Sequence, residues 1–292
     1  MKHVLVAGAT GYLGRYVVKA LKKEGYSVAV LVRNAEKLKR VGNYLDPAIY
    51  EDVDEVRIGE ITDPESLINI CEGVDYVFSS VGITRQKDGL TFQDVDYQGN
   101  LNLLREAEKS SVEKFMFIHV FQGDKWEGPI TEAKEQFAQE LINSSVQHLI
   151  IRPTGFFSDL TEILHMAERG RAFLVGDGSK QLNPIHGADL ASYCVSVFNK
   201  SNQIYDIGGP ETYTHRQLVE IAFEVAKKSP KTMRLPAFLF IPILQTLKIV
   251  NKHQYGILKL FYNGMTSDVV APSYGEKWLK DYYLQYEMQN KQ

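Results

Sequence analysis

Val4-Leu-Val-Ala-Gly8-Ala-Thr-Gly11-Tyr-Leu-Gly14-Arg-Tyr-Val-Val18 sets three glycines at the spacing GxxGxxG between an apolar run and a segment of helical period. The apolar run reads as a buried strand, and residues 12–23 read as a helix. Such a turn brings phosphate close to backbone. Gly8 and Gly11 can take turn conformations and offer N–H donors without side-chain bulk, while Gly14 lets the helix pack near the strand. The positive end of the helix then faces a pyrophosphate. Gly8, Thr10, Gly11, Tyr12, Leu13 and Gly14 are therefore the expected contacts of a dinucleotide. A glycine-rich turn without a ligand is the plain alternative, and the order strand, glycines, helix, second strand favours the ligand.

Outward from this turn, the second apolar run, residues 27–32, ends in Arg33-Asn34 rather than in an acid. An Asp or Glu there would accept hydrogen bonds from the adenosine ribose, whereas Arg33 can pair with a 2′-phosphate. NADP(H) is thus expected over NAD(H), with Lys37 as an assistant. The competing reading leaves both residues as solvated surface charges.

Short Val/Ile/Phe-rich runs at residues 3–7, 27–32, 55–58, 76–79, 115–119 and 148–152 alternate with helix-period segments at 12–23, 64–71, 99–109 and 131–142. This alternation predicts an α/β, Rossmann-type doubly wound parallel sheet, because parallel strands need crossover connections. After Arg152-Pro153 the regularity weakens at the turns around Gly176 and Gly208. The expected division is a dinucleotide-binding domain over residues 1–152 and a smaller mixed substrate or partner region over 153–292, interleaved with it. A further helix is expected at 216–228. The apolar, proline-broken stretch at 235–247 is too short for an ordinary transmembrane helix. It either packs on its own domain or meets a partner or a membrane surface.

The 292 residues include 44% hydrophobic and 24% charged, enough to bury a substantial core. With 33 basic against 36 acidic residues there is no strong field for nucleic acid, and a small molecule or a protein is the expected partner. Cys71 and Cys194, without a CxxC or Cys/His cluster, suggest neither disulfide nor metal site. The run from Met1-Lys2-His3 straight into a strand leaves no room for a signal peptide, so a cytoplasmic location is expected.

Several stretches together resemble the atypical short-chain dehydrogenase/reductase superfamily, in the branch of nitrogen-metabolite-repression-regulator-like and divinyl-reductase-like proteins. They are the GATGxLG opening, Gly59-Glu-Ile-Thr-Asp63, Ser79-Ser80-Val81-Gly82, Arg152-Pro153-Thr-Gly155-Phe156-Phe157 and Asn183-Pro-Ile-His186-Gly-Ala-Asp189. Asp96-Tyr-Gln-Gly99-Asn100-Leu-Asn102-Leu-Leu is similar to the family's NxxGTxNLL helix. The resemblance, over roughly residues 1–225, implies an adenine contact at Asp63, cofactor contacts at Ser80, Val81 and Gly82, and a nicotinamide neighbourhood at Pro153, Gly155 and Phe156.

The family's Tyr-x-x-x-Lys falls on Ile130-Thr-Glu-Ala-Lys134, which keeps the lysine and loses the proton-donating tyrosine. In the parent chemistry that tyrosine handles the substrate proton while the lysine lowers its pKa and holds the ribose. Lys134 remains as a ribose ligand, as an acid/base in its own right, or as ordinary surface charge. His119, at the end of the fifth strand, is the candidate replacement for the missing acid because its pKa lies near neutrality. Tyr97, Thr131, Glu132 and His186 lie near family ligand segments without a spacing that fixes them beside a substrate. Two functions follow: an NADP(H)-dependent oxidoreductase acting on a small apolar, quinone-like or enone-like substrate, or a non-catalytic NADP(H)-binding sensor or assembly scaffold. Epimerase or dehydratase chemistry usually needs the missing tyrosine.

Overall fold

The structure, a computed structural model, describes residues 1–83 and 89–290. Its centre is a seven-stranded parallel sheet built from β1 (His3–Ala7), β2 (Ser27–Val32), β3 (Glu55–Ile58), β4 (Tyr76–Ser79), β5 (Lys114–Ile118), β6 (Gln147–Pro153) and a late strand, β9 (Gln203–Ile207), in the order β3-β2-β1-β4-β5-β6-β9. Residues of period two go to opposite faces of such a sheet. Leu5, Ala7, Ala29, Val77, Phe115 and Phe117 accordingly enter one core, and Val4, Val6, Val28, Val30, Phe78 and Met116 enter the other.

The first face is covered by α2 (Asn100–Lys109) and α3 (Pro129–Asn143), the second by α1 (Tyr12–Lys23) and α5 (Gly187–Ser196). α5 and β9 come from the second half of the chain, so residues 153–292 complete the sheet as well as adding to it. The sheet order reverses between β1, which continues toward β2, and β4, which continues toward β5. A ligand is expected at the C-terminal ends of the strands flanking such a reversal.

Two expected helices differ from what forms. Residues 64–71 make only a short 3-10 turn at Pro64–Leu67, after which Asn69 takes φ +64°. Leu67, Ile70 and Cys71 still reach the core, but the left-handed turn at Asn69 lies between them and ends the helical path. The helix expected at 99–109 starts at Asn100 and is preceded by a wide π-type turn at Gln93–Gly99, which carries Asp96 into the interior.

The smaller lobe holds α4 (Thr161–Glu168), β7 (Ala172–Val175), β8 (Gln181–Leu182), β10 (Tyr213–Thr214), α6 (His215–Val225), β11 (Thr232–Leu235) and α9 (Leu279–Asn290). β7 pairs with β11 and β8 with β10. Thr214 and Gln217 form a reciprocal capping box that starts α6, one residue before the helix expected at 216–228. Between β11 and α9 lie α7 (Phe240–Val250) and α8 (Lys252–Thr266). Within α7 only Leu244 is buried, so residues 235–247 do not pack into the core of their own domain. No helix among the described residues is long and apolar enough to cross a membrane.

Candidate active site

The three glycines of the opening turn do different work. Gly8 has φ +85°, and a Cβ there would lie 2.7 Å from Ser80 Oγ, so the residue serves both the turn and the contact between the ends of β1 and β4. At Gly14 a Cβ would stand 2.1 Å from the carbonyl oxygen of Gly8, which leaves no space for any side chain. Gly11 has φ −82°, open to any residue, and a Cβ there would meet only Gly8 O at 3.3 Å. Protein packing therefore dictates Gly8 and Gly14 and bears only lightly on the exposed Gly11, where Gly8 O would have to give by a few tenths of an ångström. Gly11 also caps α1 without a side-chain hydrogen bond. Bare backbone N–H groups at a helix start, with no side chain in front, fit a pyrophosphate. Thr10 and Tyr12 flank this turn half-buried, and Leu13 anchors it in the core.

Beyond β2, Arg33 is exposed and lies 3.3 Å from Glu60 Oε2, an acid contributed by the turn after β3. The sequence reading missed Glu60 as a neighbour of Arg33, although it sits in the quoted Gly59–Asp63 stretch. Asp63 is exposed and caps the 3-10 turn by accepting from Glu65 N–H at 3.2 Å. Arg15, buried in α1, donates to the carbonyls of Thr10, Lys37, Arg40 and Pro47 and pairs with Asp46 at 3.1 Å. It thereby ties the loop carrying Lys37 to the glycine turn.

At the end of β4, Ser79 donates to Asn100 Oδ1 at 2.5 Å, and Asn100 in turn donates to the Asp96 carbonyl at 3.0 Å. Asp96 itself is fully buried. Its Oδ2 accepts from Ile83 N–H at 3.0 Å, and its Oδ1 lies 3.2 Å from Lys134 Nζ without an aligned hydrogen-bond donor. Burial pushes the Asp96 carboxyl above its usual range, against the opposing pull of Lys134 and the Ile83 N–H. Lys134 Nζ also donates to Ile118 O at 3.3 Å and sits 5.0 Å from the Phe117 ring centre. A Cβ on Gly82 would come within 2.5 Å of Asp96 Oδ1 and 3.1 Å of Lys134 Nζ, so glycine there leaves the pair room. Ile130, one turn before Lys134, is buried in the core.

Asp96 is the buried partner of Lys134 that sequence reasoning did not single out. The signal was present: the asparagine opening the NxxGTxNLL pattern falls on Asp96, and an acid at that place is what meets the lysine. His119 is brought close but turned inward. It is 3% exposed, its Nδ1 accepts from Val120 N–H at 2.6 Å, and its Nε2 meets Glu135 Oε2 at 3.1 Å. An Nδ1 that accepts places the ring proton on Nε2, and burial lowers the pKa, so the ring is neutral with both nitrogens engaged.

The remaining sequence candidates divide between the site wall and local structure. Pro153 is buried at the end of β6, and Phe156 meets Tyr12 edge-on at 5.9 Å. At Gly155 an added Cβ would make only an ordinary contact, with Leu182 Cδ1 at 3.8 Å. Tyr12 Oη accepts from Gly187 N–H at 3.0 Å, joining the first turn of α1 to the first residue of α5. His186 caps α5 by accepting from Ala188 N–H, and burial pulls its pKa down to about 4. Thr131 and Glu132 bond the backbone at Gly128 to start α3, and Tyr97 Oη bonds Glu140 on its outer side. Among the described residues no group of His, Cys, Asp and Glu could hold a metal ion.

A family model described as NAD(P)H-binding matches residues 8–201, from the first glycine through α5. The chain belongs to the NAD(P)H-binding family. Its relatives place it with atypical short-chain dehydrogenase/reductase proteins. One is divinyl chlorophyllide a 8-vinyl-reductase, chloroplastic, of Arabidopsis thaliana, 27% identical over 96% of this chain and 76% of the relative. Another is the photosystem II assembly factor Ycf39 of Trieres chinensis, 24% identical over 81% of this chain and 73% of the relative. Among solved structures, Citrobacter sp. triphenylmethane reductase complexed with NADP(H) superposes with TM-score 0.73 at 18% identity, covering 97% of this chain and 99% of the other. That likeness is one of fold.

Proposed function

We propose that this NAD(P)H-binding protein is an NADP(H)-preferring reductase acting on a small apolar acceptor, an enone or a quinone. The observation that carries this reading is the pinned Lys134. Its ammonium is held between Asp96 and Ile118 O, one turn from a buried isoleucine, so the site can orient and neutralise but has no tyrosine to protonate an alkoxide. When bound, the reduced nicotinamide would supply a hydride. An enone or quinone takes that hydride and draws its proton from water, completing a two-electron reduction without a side-chain acid.

In this reading the start of α1 receives the pyrophosphate, Asp63 lies toward the adenine, and Ser80, Val81 and Gly82 line the sheet reversal. Lys134 binds ribose hydroxyls, and Pro153, Gly155 and Phe156 flank the nicotinamide. His119 is a positioning residue for the chain after β5 rather than the acid, since neither ring nitrogen faces outward to a substrate. Arg33 supports the 2′-phosphate preference, with Glu60 as its competitor: Arg33→Asp should weaken NADPH far more than NADH, whereas equal weakening of both removes the assignment.

The test is calorimetric titration with NADPH and NADH, followed by the fluorescence of bound NADPH under a panel of quinones and enones. Tighter NADPH binding with decay of the signal is expected. Ile130 in place of the family's tyrosine also favours a second reading, a non-catalytic NADP(H)-binding sensor or scaffold, in keeping with a relative named as an assembly factor. Binding that is never followed by decay supports that reading, and failure to bind either nucleotide overturns both.

A further inference from the structure

Phe238, Leu239, Ile241, Ile243, Ile249 and Val250 are all exposed, from 45% to 84%, within thirteen consecutive residues. α7 is apolar on nearly every side, interrupted only by Gln245, Thr246 and Lys248. A helix of that kind belongs inside a protein core or in lipid, and this one buries only Leu244 against its own chain. The charge around it is as uneven. From Lys227 to Ser267 the sequence carries seven Lys or Arg residues and no Asp or Glu, while the rest of the chain carries 26 basic against 36 acidic residues.

α8 provides the footing. Gly256 lets it approach Phe92, whose ring stacks on His253 at 5.0 Å, and Ile257 and Leu260 pack against the core beneath α3. Phe240 on α7 meets Tyr262 on α8 at 6.1 Å between ring centres, so α7 rides on α8 with its apolar side chains outward. Neither helix is long enough to cross a bilayer, at 11 and 15 residues.

We propose that residues 238–252, from the turn before α7 to the start of α8, form a docking surface for an anionic lipid bilayer, into whose interface the six apolar side chains insert while Lys248 and Lys252 meet lipid headgroups. Apolar area and basic charge in one acid-free segment are the two contributions that hold an interfacial helix on such a surface. An acidic protein groove would match the charge but would have to enclose a helix that is apolar nearly all round. Binding here does not require the cofactor, so it succeeds or fails apart from the reductase reading.

The test is co-sedimentation of the full chain with phosphatidylcholine vesicles, with and without phosphatidylglycerol, at low and high salt. Binding to the anionic vesicles that weakens with salt is expected. Lys248→Glu and Lys252→Glu should each lower partitioning roughly fivefold or more. Ile249→Glu/Val250→Glu should lower it by at least about tenfold. Ile68→Glu, at an exposed site elsewhere, should change nothing, and unchanged thermal midpoints show that the variants remain folded. Equal binding to neutral vesicles, no binding to either, or a self-association abolished by the double variant would overturn the proposal, the last by making a second copy the occupant.

Discussion

The opening strand and helix, and the helix pair near residue 250, are both rich in aliphatic residues and behave in opposite ways. In β1 and α1, Val4, Leu5, Val6, Val17, Val18 and Leu21 are wholly buried, whereas in α7 Ile249 and Val250 stand 84% and 70% exposed. Apolar content reports that a segment needs a nonaqueous neighbour. It does not say whether the same chain supplies it. Around β1 the neighbour is written into period-two and period-3.6 patterns on both sides, while α7 meets α8 along one side and, among the described residues, leaves most of its apolar side chains uncovered.

The sharpest break between the two regions should come from the glycines. Gly14→Ala pushes a methyl into backbone at the α1 start and should cost more than about 4 kcal/mol in denaturant unfolding. Asp96→Ala removes the partner of a mostly buried ammonium and should cost about 3 kcal/mol, with Asp96→Asn recovering part of it. Third comes acid. His186 is held neutral with its pKa near 4, below its unfolded value, so the folded state binds fewer protons than the unfolded state between pH 6.5 and 4. Stability should therefore fall as pH drops through that window, by up to about 3 kcal/mol, and thermal melts of His186→Gln should show a flatter slope there.

Gly11→Ala should leave stability within about 1 kcal/mol yet weaken NADPH by about tenfold, because it crowds the phosphate and not the protein. Loss of stability there with no loss of affinity would make Gly11 another packing glycine. The smallest effect belongs to the contrasting region: Ile249→Glu should shift unfolding by less than about 0.5 kcal/mol.

Much of the fold was legible because local pattern and tertiary role agree. The bounds of β1 to β4 and of α1 follow from apolar runs closed by glycine, charge or serine, and the opening turn from three glycines in context. Lys134 was legible too, as the survivor of a known spacing, and it lies beside Asp96. Asp96 and Glu60 were not, because each acquires its meaning from a residue 38 and 27 positions away, Lys134 and Arg33, that only the folded sheet brings near. His119 misled for a related reason. A histidine at a strand end is read as available, yet Gly123 and Glu135 close over it, and a Cβ on Gly123 would come within 2.2 Å of the ring.

The α5 and β9 cover on the sheet has a consequence for biosynthesis. The face of the sheet that carries Val4, Val6, Val28 and Val30 is covered in part by α1, but its closure needs Ile185, Leu190, Ala191, Cys194, Phe198 and Ile207, and Tyr12 waits for Gly187. On a ribosome adding about 5–20 residues per second, the first thirty residues are therefore outside for on the order of ten seconds or more before their lining has been translated. A nascent chain stopped near residue 150 would hold a finished glycine turn on an unfinished sheet, greasy on one side and a natural client for a chaperone.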